Sequence, residues 1–327
     1  MGDRIPITQM LTFGLLPSCI KKNIYRLKGN KIGRNVKLSL GSIIRSNENF
    51  SIGAGTKIGF FTSIVADSVS IGQRSNIRSA VMIKAFKVVI GNDVTISEAA
   101  IIRAGHLSQQ SEIIIDDLVH IFPNTTIDPS RKIHLMEECA VGPQCSIFTH
   151  GSYKNILEGY PVSYGNVEIG KRVELTYNVF VAPGVNIGDD AIIAYGSYVN
   201  KQIPSSVLAG GCPAKILRNK EDFIKKPTIE EQQSIVLIIL NEFCSNLIFL
   251  KKIDSFKRND NVFILNKGKE VRLITFKMEE MEVVLTDNKR GDISHYNLRN
   301  YSSTNINSWL TVELRRFFSR YGIRFKM

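Results

Sequence analysis

The chain is poor in the residues that would make it a stapled secreted module or a membrane span. Of 327 residues, five are cysteine (Cys19, Cys139, Cys145, Cys212 and Cys244). They are odd in number, scattered and never spaced CxxC, which argues against a disulfide framework and a zinc ribbon and reads as reduced thiols in a cytoplasmic protein. No stretch reaches the roughly 18 apolar residues of a transmembrane helix. Residues 10–20 are apolar but short and interrupted by Pro17. The lipoprotein-like Leu16-Pro17-Ser18-Cys19 is opposed by Asp3 and by the brevity of the apolar core. Acidic residues are outnumbered by lysine and arginine, 30 to 42, for a net charge of +12. That excess suits anionic partners such as coenzyme phosphates, acidic glycans or lipid phosphates. No helix-turn-helix, RNP-like or zinc-finger pattern accompanies it, so nucleic acid is not an expected partner.

What is present is a rhythm of six. An aliphatic residue recurs at Ile32, Leu38, Ile44; Ile52, Ile58, Ile64; Ile71, Ile77, Ile83; Ile90, Ile96, Ile102; Ile115, Ile121, Ile127; Leu135, Val141, Ile147; then Ile169, Leu175, Val181, Ile187, Ile193 and Val199. Many are followed by glycine, and a small or β-branched residue often comes four places later, as at Val36, Thr56, Thr62 and Val94. Six fits neither the helical period nor a hairpin meander. It marks a parallel β-helix of hexapeptide repeats, three to a coil of about 18 residues. About eight coils are expected, because a lone coil cannot bury its core and neighbours must stack. Two coil-to-coil steps are too long, from 90 to 115 and from 135 to 169. The excess must leave the coil as loops, near residues 103–112 and after Ile147, and excursions from a rigid scaffold are where function concentrates.

The rhythm stops near Arg218. Three regions are therefore expected: an N-terminal helical cap at 1–31, the β-helix at 32–218 and an α+β accessory region at 219–327. The cap is an amphipathic helix at about 15–28 with Lys21, Lys22, Arg26 and Lys28 on its polar side. It would cover the open end of the coil stack or, alternatively, touch an anionic membrane surface. In the C-terminal region Thr228 and Glu231 form a capping-box start for a helix reaching about residue 252. Its all-round apolar run 235–240 predicts burial. Strands follow at 262–265, 271–276 and 281–285, then a helix at 305–321 carrying Trp309, Phe317 and Phe318 with Arg315, Arg316 and Arg320.

Five motifs then converge: Phe148-Thr149-His150-Gly151-Ser152-Tyr153; Glu158-Gly159-Tyr160-Pro161-Val162; the run Val181-Ala182-Pro183-Gly184-Val185-Asn186-Ile187-Gly188-Asp189; Asn200-Lys201-Gln202-Ile203-Pro204; and Ala209-Gly210-Gly211-Cys212-Pro213-Ala214-Lys215. Over residues 10–218 the chain resembles the hexapeptide-repeat acyltransferases, above all the O-acetyltransferases of bacterial capsule and lipopolysaccharide synthesis. The resemblance implies a left-handed β-helix, a homotrimer with sites between subunits, acetyl-CoA as donor and no metal. It places His150 at the catalytic base. It also places Gly184, Tyr195, Asn200, Lys201, Lys215 and Arg218 along the coenzyme. Glu174 stands where the family often has tryptophan, and Asn200 where it has threonine.

The chemistry agrees with the resemblance. An alcohol is a weak nucleophile near neutral pH, and an imidazole, titrating at about 6.5 when unperturbed, can take its proton during attack on a thioester. A backbone N–H would stabilise the developing oxyanion, and coil stacking puts Gly184 one coil beyond His150. Tyr153, Tyr160 and Tyr164 suit sugar stacking. Glu158 and Glu174 are expected to contact the acceptor with Tyr153 and Tyr160, and are also the candidate carboxylates for orienting His150. His106, His120 and His134 read as structural, with the alternative that His106, in the other excursion, lines a substrate groove. The closely spaced histidine pair of γ-class carbonic anhydrases is absent. The expected function is acetyl transfer to a sugar hydroxyl of a cell-surface polysaccharide or lipid-linked oligosaccharide, in the cytoplasm or at the inner face of the bacterial membrane. The alternatives are N-acetylation of an amino sugar and a noncatalytic β-helix scaffold.

Overall fold

A computed structural model describes residues 7–151, 154–287, 292–304 and 308–325. The chain divides into two compact units, Met1–Ile224 and Lys225–Met327.

The first unit is a parallel β-helix whose ladder lies in register on three faces. Ile32, Ile52, Ile71, Ile90, Ile115, Leu135, Ile169 and Ile187 pair in turn on the first face. The series from Leu38 to Ile193 does so on the second, and the series from Ile44 to Val199 on the third. All but the terminal Ile32 are buried, most of them completely. The stack is longer than eight coils. Ile203 bridges to Ile187, and Val207–Gly211 adds a strand to the second face, making a ninth turn. It closes with the hairpin partner Ala214–Asn219.

The corners explain the rest of the pattern. Val36, Thr56, Thr62 and Val94 are buried. Thr56 Oγ1 donates to Gly72 O at 2.7 Å and Thr62 Oγ1 to Arg78 O at 2.6 Å, so hydroxyls at these positions satisfy carbonyls of the next coil. The post-ladder glycines allow backbones to touch: a Cβ on Gly72 would meet Gly91 C at 2.5 Å, and one on Gly142 would meet Thr176 O at 1.6 Å.

The N-terminal cap is a helix at Ser18–Leu27, preceded by short turns at Ile7–Leu11 and Phe13–Leu15. It satisfies the open edge of the first coil. Tyr25 Oη donates to Ile44 O (3.0 Å) and accepts from Ile44 N (2.9 Å), while Ser18 Oγ accepts from Leu38 N (3.0 Å). One expectation is corrected here. Lys21 is not on a solvated side but fully buried. Its ammonium donates to Gly14 O (3.1 Å), Ser39 O (2.6 Å), Ser42 O (3.3 Å) and Ser42 Oγ (3.1 Å). The turn at residues 39–42 supplies acceptors that a sequence periodicity cannot show.

The second unit has a helix at Ile229–Phe249, a six-stranded antiparallel meander and a helix at Trp309–Ser319. Thr228 and Glu231 form the capping box, with Thr228 Oγ1 accepting from Glu231 N at 3.2 Å and Glu231 Oε2 from Thr228 N at 2.8 Å. Ser255–Asn259, Asp292–Asn297 and Ser302–Ser303 add to the three strands the sequence predicts. By length and hydropathy the Ile229–Phe249 helix would suffice to cross a membrane, contrary to the reading that no segment does. Val236, Ile239, Leu240, Phe243, Cys244 and Leu247 from it enter the core of this unit with Phe263, Phe276 and Phe318. Ile235 and Ile238, within the run expected to be buried all round, are exposed.

Candidate active site

Both excursions leave the β-helix at the corner that follows the third face, and they meet there. The first follows Ile101–Arg103 and the second follows Ser146–Phe148, with the coil containing Thr126–Asp128 between them. Successive coils therefore bring His106, Asp128 and His150 together. His150 opens the second loop as part of a two-residue strand, His150–Gly151, paired antiparallel with Ser163–Tyr164. The loop turns through Ile156–Glu158 and Gly159, whose φ of 86° places it in the left-handed region. Thr149 locks the base of the loop. Its buried hydroxyl donates to Asp128 O at 2.7 Å and accepts from Arg131 N at 2.9 Å.

The imidazole is held on several sides. Nδ1 of His150 lies 3.3 Å from Asp128 Oδ2, an ion-pair distance, though the approach is not aligned as a hydrogen bond. The Asp128 carboxylate is itself fixed. Oδ1 accepts from Ser130 Oγ (2.6 Å), Ser130 N (3.0 Å) and Gly105 N (3.1 Å). The absence of a side chain at Gly105 matters, since a Cβ there would sit 2.8 Å from Asp128 Oδ2 and 3.0 Å from His150 Cε1. The His106 ring meets His150 edge-on at 4.9 Å, and the Tyr164 ring lies roughly parallel to it at 6.1 Å, with the Arg131 guanidinium 4.6 Å over Tyr164. Beyond His150 the third face continues as an aromatic row, Phe148 on Phe180 at 5.4 Å and Phe180 against Tyr198 at 5.6 Å.

Several sequence expectations are relocated. The carboxylate beside His150 is Asp128, neither Glu158 nor Glu174. Glu158 Oε1 accepts from Asn155 Nδ2 at 3.0 Å. Glu174 stands on the second face, in register with Ala140 and Ile192. Asp128 was legible only as a polar residue following ladder position Ile127. His106, read as structural, touches the site. Gly165, where the loop returns, lies against Gly184 of the next coil. Its N–H donates to Thr149 O at 3.0 Å, and a Cβ on it would come within 2.5 Å of Gly184 Cα. Tyr160 is exposed on the loop with Lys154 Nζ 5.5 Å from its ring, and Tyr153 lies outside the described residues. Tyr195 is exposed and stacks on Tyr177 at 5.4 Å. Asn200, Lys201, Lys215 and Arg218 are exposed on the closing coil and hairpin.

No protein-family model matches the chain. Over 111 residues it is 33% identical to a Saccharomyces cerevisiae protein named as an acetyltransferase, covering 33% of this chain and 56% of that one. Over 101 residues it is 41% identical to the galactoside O-acetyltransferase of Escherichia coli K12, covering 30% and 50%. A UDP-N-acetylglucosamine acyltransferase structure from Campylobacter jejuni overlaps 61% of this chain and 75% of its own at 20% identity, with a TM-score of 0.48. The chain spans about half the length of the curated relatives it matches. In sequence it is similar to named acetyltransferases, the class its motifs resemble.

Proposed function

We propose that this protein is an acetyl-CoA-dependent O-acetyltransferase acting on a sugar hydroxyl of a cell-surface polysaccharide or its precursor, with His150 as general base. The observation that carries this reading is the Asp128–His150 pair at the corner where both excursions meet. The sequence likeness to acetyltransferases supports the reaction class. Acetyl-CoA supplies an activated acyl thioester. In the tautomer that keeps its proton on Nδ1, beside the Asp128 carboxylate, His150 offers the Nε2 lone pair to the acceptor hydroxyl. Nε2 takes the hydroxyl proton as the oxygen bonds to the thioester carbonyl carbon. It then delivers that proton to the sulfur as the carbon–sulfur bond breaks, leaving an acetyl ester and a free thiol. No covalent enzyme intermediate is needed. Tyr164 and Tyr160 flank the acceptor. The exposed basic residues Lys201, Lys215 and Arg218 hold the coenzyme phosphates, beside Asn200, Tyr195 and Gly184. The active assembly is a homotrimer working in the cytoplasm.

Replacing His150 with Ala tests the base. Removing a positioned general base costs on the order of 10²- to 10⁴-fold in rate. The melting temperature should stay near that of the unmodified protein, because the imidazole lies outside the aliphatic core. Undiminished transfer by that variant refutes the mechanism.

A further inference from the structure

The third face carries charges that point to the acceptor's chemistry. Along its eight strands the charged residues are Arg45, Lys84, Arg103 and Asp128. Three are cations, and the one carboxylate is turned toward His150, Gly105 and Ser130. The cations stand in one column. Arg103 is in register with Lys84, and Lys84 and Arg45 both register with Val65. Arg103 and Asp128 each follow the paired residues Ile102 and Ile127, so the column runs up to the site. At about 4.8 Å per coil, Arg103 lies roughly 10 Å and Lys84 roughly 14 Å below the His150 rung. Arg131 adds a cation over the ring of Tyr164, which itself lies 6.1 Å from the imidazole. From the coil of His150 onward, the outward residues of the same face are Ser146, Phe148, Phe180 and Tyr198, none of them charged.

We propose that the acceptor is anionic, a saccharide bearing carboxylate or phosphate groups, and that it lies along Lys84, Arg103 and Arg131 with one hydroxyl at His150. The inference rests on the acetyl-transfer reading and adds the acceptor's charge to it. Coenzyme phosphates share this chemistry, but the cations assigned to them, Lys201, Lys215 and Arg218, follow His150 along the stack, whereas Lys84 and Arg103 precede it. Two groups of cations on opposite sides of one base fit two anionic ligands.

Calorimetric titration of the full-length protein with oligogalacturonate and with a neutral malto-oligosaccharide of equal length is the test. The charged chain should bind about tenfold or more tightly than the neutral one, and less well as ionic strength rises. The double variants Lys84→Glu/Arg103→Glu and Lys84→Gln/Arg103→Gln should each lose most of that preference, while CoA affinity stays within about twofold of the unmodified protein. His150→Ala should keep the binding while losing transfer, so a failure of the base assignment is distinguishable from a failure of the acceptor's charge. Equal affinity for both oligosaccharides, binding of neither, indifference to the substitutions, or a fall in CoA affinity in their place overturns the proposal.

Discussion

At the residue scale, the candidate site sets a carboxylate beside an imidazole, with a glycine that makes room for both. Asp128→Asn keeps the shape but offers Nδ1 a neutral amide that can present either end. The expected loss in kcat is about 10²-fold, within the range of general-base effects, with KM changed far less. A steady-state comparison of Asp128→Asn with the unmodified protein checks this, and a change confined to KM would show that Asp128 serves binding. Gly105→Ala would place a methyl 3.0 Å from His150 Cε1 and 2.8 Å from Asp128 Oδ2. Since a small misplacement can cost 10²-fold, kcat should fall by about tenfold or more while the melting temperature barely moves. Sequence alone pointed to His150 because it opens the longest break in the ladder and sits within a recognisable motif. It did not point to Asp128, which lies 22 positions earlier and becomes a neighbour only because one coil stacks on the next.

At the element scale, the coils are specified by the ladder and tightened by glycine. Gly142→Ala sets a Cβ against Thr176 O at 1.6 Å, and backbone cannot yield as a side-chain tip can. Destabilisation of about 3 kcal/mol or more is expected, at the upper end of overpacking costs, and urea unfolding would measure it. The N-terminal cap makes a pH prediction. Burial lowers the Lys21 pKa from 10.5 to about 8. Below about pH 8 both folded and unfolded chains hold the proton, and the full cost of burying the ammonium is present. Between about 8 and 10.5 the unfolded chain binds more protons than the folded one, so this group's contribution makes stability rise with pH. Unfolding midpoints of the unmodified protein should therefore improve relative to Lys21→Met across that window, and a flat difference would contradict the assignment. The ladder makes eight of the nine coils legible in sequence, since burial of an aliphatic every six residues has few other solutions; the closing turn through Ile203 and Val207–Gly211 departs from the period. The Lys21 cage was not legible, because three of its four acceptors are backbone carbonyls, of Gly14, Ser39 and Ser42, and carry no side-chain signature.

At the scale of the whole molecule, the β-helix was readable because its order is local and repeated. The second unit was read less fully because its meander strands are joined by pairing rather than by a period. Trp309, in the last helix, lies against the Arg272 guanidinium at 5.4 Å, and Arg272 pairs with Asp287 at 2.9 Å, contacts that helical spacing could not foretell. If the active assembly is a trimer, sedimentation equilibrium should return about three times the chain mass of 36.7 kDa. A monomer that retains full transfer would show that one chain completes the site. The most direct test of the central claim pairs the unmodified protein with His150→Ala, each incubated with acetyl-CoA and a cell-surface glycan extract, and reads acceptor mass by mass spectrometry. The account predicts a glycan gaining the mass of one acetyl group with the unmodified protein and none detectable with the folded variant. Equal acetylation by both would contradict it.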